Sequence, residues 1–101
     1  MIDVFAISDN ICSPLGLTTE ENWATLKASV SGIREHQETT FADSPFFAAL
    51  LSKEQYAAIE LPGFTSFEQL LIASIRDALK NTGIDPSSRD TLLVITSTKG
   101  N

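Results

Sequence analysis

The chain has 101 residues, 43% of them hydrophobic, with a formal charge of −6 and a single cysteine. That length fits one globular domain with a narrow stability margin, and the abundant aliphatic residues exclude wholesale disorder. The seven basic residues are scattered, which excludes a nucleic-acid backbone as partner, and a lone cysteine excludes an internal disulfide or a cysteine-based metal site.

No stretch reaches the length of a membrane span. The N-terminus carries Asp3 and no basic leader, so a secretory signal is not expected and the cytoplasm is the default location.

Residues 2–7 (IDVFAI) are apolar at every position except Asp3, a pattern that predicts a strand covered on both faces. Pro14 and Gly16 mark a turn over residues 10–16. Thr18 precedes Glu21 by three, a capping-box spacing, and Glu20 and Glu21 suit the positive end of a helix dipole. Trp23, Leu26 and Val30 recur at helical spacing and predict a buried stripe, with Gly32 as the stop.

Residues 34–45 are polar and aperiodic and read as an irregular surface loop. Ser52 and Gln55 cap a short helix that runs through Ile59 and is broken by Pro62-Gly63. Thr65 and Glu68 cap a stronger helix with Phe67, Leu71, Ile75, Ala78 and Leu79 as its core stripe. Gly83 is its expected stop, with Ile84 packing back on Leu79. Asp85-Pro86 turns the chain into residues 91–95 (TLLVI), a second strand-like run.

The expected order is strand, helix, loop, short helix, helix, strand, in one domain over residues 1–101. Two apolar strands joined through helices predict a parallel, right-handed crossover of α/β class. Such a pair has two open edges and is rarely stable alone. The chain is therefore expected to be a truncated part of a larger fold and, if ordered by itself, to pair strands with another copy.

Candidate chemistry is sparse. Cys12 lies upstream of a helix start without a cation near it in sequence, so a structural role is favoured over a nucleophilic one. His36, between Glu35 and Glu38, reads as a solvated loop histidine. Ser13, Ser31 and Ser97 have no nearby base, and no GxSxG elbow is present. Residues 96–101 (TSTKGN) follow a strand-like run but match neither phosphate-loop pattern. No metal site and no cofactor is expected.

Ser13-Pro14-Leu15-Gly16, then Glu21-Asn22-Trp23 and Leu26, then Ser31-Gly32-Ile33-Arg34 resembles the opening of the β-ketoacyl-acyl carrier protein synthases. These are condensing enzymes of the thiolase fold. Ala73, Ala78-Leu79, Gly83-Ile84 and Asp85 resemble the helix before that family's second strand, whereas residues 34–62 match poorly. The resemblance implies a partial thiolase-like α/β fold with parallel strands. It implies a parent acyltransferase that extends acyl chains by decarboxylative Claisen condensation in fatty acid or polyketide-type biosynthesis. Acyl carrier protein would be its partner, and a homo-oligomer its assembly.

In the family the acyl-bearing cysteine and its histidine or asparagine helpers lie beyond this segment, so no catalytic residue is assigned and the 101-residue chain alone is expected to be inactive. The family's glycine-rich loop near the acyl pocket falls at Thr98, Lys99 and Gly100. The sequence departs from the family at Asp9, at Ala28-Ser29, and at Thr96, Thr98 and Asn101, all of which replace glycines or a glycine–basic pair. A non-catalytic partner subunit, like a chain-length factor, and an independent α/β interaction module are the alternatives.

Overall fold

The computed structural model describes residues 1–99. Three helices and one small hairpin follow in chain order: α1 (Thr19–Lys27), β1 (Arg34–His36), β2 (Phe46–Ala48), α2 (Lys53–Ala58) and α3 (Ser66–Leu79). The class is mixed α/β.

All three helices begin where a hydroxyl caps them. Ser52 and Gln55 form a reciprocal capping box on α2, as do Thr65 and Glu68 on α3. On α1 the box is displaced by one residue. The Thr18 hydroxyl accepts from Glu21 N–H at 3.1 Å, but the Glu21 carboxylate reaches past the cap to Leu17 N–H at 2.6 Å.

The helix ends differ from the glycine stops that the sequence predicts. α1 closes three residues before Gly32, on Ser29, which takes the left-handed conformation at φ 56°. Ser29 N–H donates to Leu26 O (2.9 Å) and Val30 N–H to Thr25 O (3.2 Å), the paired bonds of a Schellman closure. Gly32 has another task, described below. α3 closes before Gly83: Lys80 leaves helical ψ, Asn81 turns left-handed at φ 63°, and the Thr82 N–H and hydroxyl both donate to Leu79 O.

The sheet is antiparallel, not the expected parallel pair. β1 and β2 align Arg34 with Ala48, Glu35 with Phe47 and His36 with Phe46. A strand therefore lies inside the stretch read as an irregular loop. Cross-strand packing explains it: the His36 ring stacks on Phe46 (5.4 Å, 25°), and Phe41 meets Phe46 edge-on (6.4 Å, 79°). Pro45 sits immediately before β2, where its missing N–H costs no ladder bond.

Residues 2–7 and 91–95 form no strand among the described residues. A two-stranded ribbon of apolar segments would still leave both faces and both outer edges open to water, so pairing them gains little without further cover. The Trp23, Leu26 and Val30 stripe is likewise exposed, and Lys27 lies over the Trp23 ring at 5.7 Å. The α3 stripe is half-buried.

No hydrophobic side chain is fully buried among the described residues. The Cα radius of gyration is 16.5 Å, against about 13 Å for a compact chain of this length. Local caps and polar tethers hold this architecture, not a central core.

A non-glycine residue in the left-handed region costs about 1 kcal/mol or more. Ser29→Gly should therefore raise the stability of α1 by about 1 kcal/mol, read as a later midpoint in a urea melt followed by helical circular dichroism.

Candidate functional site

The best-enclosed part of the molecule is the Ser13-Pro14-Leu15-Gly16 turn with the first turn of α1. Ser13 and Gly16 exchange backbone bonds (Ser13 N–H to Gly16 O, 2.8 Å; Gly16 N–H to Ser13 O, 3.0 Å). Each of those two carbonyls keeps a second lone pair, and Pro14 O and Leu15 O have no partner in the bridge, so side-chain donors are left to satisfy them.

Asn22 supplies the donors. It is 5% exposed, and the two hydrogens of its Nδ2 are shared among the carbonyls of Ile11 (2.9 Å), Gly16 (2.9 Å) and Thr18 (2.7 Å). Its Oδ1 accepts from the Ser13 hydroxyl. Thr25 Oγ1 donates to Leu15 O (3.0 Å), so a second polar side chain of α1 grips the same turn.

Two longer tethers converge there. Gln55 on α2 donates from Nε2 to Pro14 O (3.3 Å) and Ser13 O (3.4 Å). Asn10 donates from Nδ2 to Leu17 O (3.1 Å) and to Ser74 Oγ on α3 (3.0 Å). The turn thus ties α1, α2 and α3 together through side-chain amides and hydroxyls.

Glycine is required at position 16 by closeness. A Cβ there would collide with Glu21 Cβ and come within 3.1 Å of Asn22 N. Gly32 allows a second close approach, since a Cβ there would meet Leu15 Cδ2 at 3.1 Å. The Ser31-Gly32-Ile33-Arg34 segment thereby lies directly against the Ser13-Pro14-Leu15-Gly16 turn.

Beside this junction opens a cleft of about 670 Å³ walled by Leu15, Gly32, Arg34, His36, Lys53 and Tyr56, among others. His36 Nε2 lies 3.1 Å from Ala48 O; a carbonyl only accepts, so Nε2 carries the proton and donates. The histidine is a half-buried hairpin residue and not the solvated loop residue expected from sequence. A smaller cleft of about 450 Å³ is lined by Asp9, Glu20, Asp77 and Lys80. Lys80 pairs with Asp77 at 2.8 Å. That carboxylate, by hydrogen bond and by charge, holds the ammonium pKa above its usual value.

The candidates for covalent chemistry are not gathered into one place. The Cys12 thiol is half-buried and donates to Leu17 O at 3.2 Å, within the turn's own bonding. The Ser13 hydroxyl is spent on Asn22. Ser31 lines the larger cleft. Thr98 and Lys99 are exposed and line neither cleft, and Lys99 N–H donates to Ser97 Oγ at 3.3 Å. Gly100 lies outside the described residues. Among the described residues no three His, Cys, Asp or Glu side chains converge as metal ligands, and no helix is long and apolar enough to cross a membrane.

Sequence reading gave Trp23 the leading role in α1 and missed Asn22, Asn10 and Gln55. A signal was present: an amide side chain in the first helical turn, six residues after a turn glycine, can reach back with two donors and an acceptor. Comparison with protein-family models, with curated proteins and with solved structures finds no match.

Asn22→Ala removes the amide's bonds to Ile11, Gly16 and Thr18 and to the Ser13 hydroxyl and should weaken the turn by about 2 kcal/mol, read as roughly 30-fold faster hydrogen exchange at the Ser13 and Gly16 amides. Two carboxylates have a defined pH response. The Ser87 hydroxyl and N–H bond Asp85, and Glu54's own N–H and the Ser52 hydroxyl bond Glu54; both carboxyls are held below the usual range. A lowered folded pKa means that the contribution is complete above the unfolded value and is lost as pH falls through the folded one. A carboxyl-detected NMR titration should therefore place both midpoints below those of the same residues in urea.

Proposed function

We propose that this chain is the N-terminal portion of a β-ketoacyl-acyl carrier protein synthase. In that reading residues 2–7 and 91–95 become parallel strands of a thiolase-like sheet, with helices on its faces. The parent polypeptide extends acyl chains by decarboxylative Claisen condensation, takes its substrates from acyl carrier protein and works as a homo-oligomer. The acyl-bearing cysteine belongs to sequence beyond this segment, and the residues here serve as scaffold.

One observation carries the reading. The segments that bear the resemblance meet in space: Gly32 abuts Leu15, and Asn22 of Glu21-Asn22-Trp23 bonds the Gly16 carbonyl of the same turn. Motif residues that share one junction are what a single inherited scaffold requires. The exposed apolar runs at 2–7 and 91–95 also suit strands whose cover comes from further chain.

The test is to express the polypeptide read through its own stop codon and incubate it with acyl and malonyl thioesters of acyl carrier protein. Release of carbon dioxide, with an acyl thioester mapped by mass spectrometry to a cysteine beyond residue 101, is expected. A thioester on Cys12, or a reading frame that encodes no cysteine on a strand-to-helix turn, would overturn the assignment; the latter outcome favours a non-catalytic partner subunit.

A further inference from the structure

The chain carries a formal charge of −6, yet its larger cleft has the opposite sign. Arg34 and Lys53 line that cleft and Glu38 is the one carboxylate on its wall among the described residues, so with His36 neutral the lining carries a net charge of +1. The smaller cleft gathers Asp9, Glu20 and Asp77 around Lys80, whose ammonium is already paired with Asp77. Among the described residues neither Arg34 nor Lys53 forms an ion pair. Glu54 acts on Lys53 by charge at longer range and is not part of the cleft wall.

Local structure brings these groups to one cavity. Arg34 and His36 are alternate residues of β1 and share a face of the hairpin. Lys53 and Tyr56 are three apart on α2 and share a face of that helix. His36 is held as wall, since Nε2 donates to Ala48 O and the ring stacks on Phe46. The guanidinium and the ammonium are therefore the donors left for a guest. A guanidinium offers a planar fork that matches a carboxylate, and an ammonium adds a point charge beside it.

Much of the remaining lining is apolar. Leu15, Val30, Phe41, Leu50 and Tyr56 border the same space, with Phe41 69% exposed and Leu50 40%. A cleft of about 670 Å³ with such a wall and a few polar groups has the size and character of a small-molecule site. Charge then selects the anion. A lining of +1 balances a single negative charge. A phosphate monoester, with about two at neutral pH, leaves the second uncompensated beside Glu38.

We propose that this cleft binds a small organic monocarboxylate with an apolar body, its carboxylate held by Arg34 and Lys53 and its body laid against Phe41, Leu50 and Tyr56. The site does not rest on the synthase reading, and Lys53, Phe41 and Tyr56 lie in the stretch that matches that family poorly.

The experiment is a backbone-amide NMR titration of the 101-residue chain with phenylbutyrate. Saturable shifts confined to amides around the cleft are expected, with a Kd on the order of 1 mM. Phenylbutyramide, which has the same body without the charge, and acetate, which has the charge without the body, should each bind roughly tenfold more weakly or worse. Arg34→Gln and Lys53→Gln should each raise the phenylbutyrate Kd roughly tenfold with helical circular dichroism unchanged. Lys27→Gln, at a cation that sits over Trp23 outside the cleft, should leave the Kd as it is. Absence of saturation, shifts centred away from the cleft, or equal affinity for phenylbutyramide overturns the proposal without recourse to any substitution. Phenyl phosphate binding more tightly than phenylbutyrate, or both charge-removing variants binding as the parent does, overturns it equally.

Discussion

The molecule depends on how one tight turn satisfies its own carbonyls. Beyond the paired backbone bonds between Ser13 and Gly16, a turn at residues 13–16 packed under a helix start has no ladder to supply further donors. Asn22 resolves this because one amide group offers two N–H bonds and an acceptor within reach of Ile11, Ser13, Gly16 and Thr18. Once that amide must face the turn, the orientation of α1 follows. Thr25, one turn further along, faces the same way, and Trp23 and Leu26 are left pointing outward.

Polar side chains then do the work that a hydrophobic core does in most domains. Gln55 brings α2 to the turn, Asn10 connects it to α3 through Ser74, and Gln69 fastens the entry of α3 through Leu61 and Phe64. These contacts are directional and each is modest in net energy. They set where elements sit without removing much apolar area from water, which is why the extents stay at 54 × 35 × 25 Å. Apolar ribbons at 2–7 and 91–95 remain as the largest unused source of hydrophobic stabilisation.

The same arrangement bears on function. A turn whose hydroxyl, thiol and carbonyls are all engaged with one another is a rigid support rather than a reactive centre. Gly32 lets the 31–34 segment close against it and frames a cleft with Arg34, His36 and Lys53 on its wall. A support of this kind suits a part whose chemistry is furnished by other residues, as the synthase reading holds.

The sequence by itself determined the starts of the three helices, the break at Pro62-Gly63 and the turn at Asp85-Pro86, because a cap or an Asx turn is settled within four or five residues. It also marked the 13–16 turn as the notable feature. What it did not contain was which face of α1 would be covered: Trp23, Leu26 and Val30 repeat correctly, yet a repeat names a stripe and not a partner. Helix stops were misplaced because Ser29 and Asn81 accept left-handed backbone where glycine is the usual signal. The hairpin was invisible because Arg34–His36 is polar, and its strand character comes from Phe46 and Phe41 across a gap in sequence. Only tertiary structure decided these points, since each depends on the energy of contacts between residues that the chain brings together after its local elements exist.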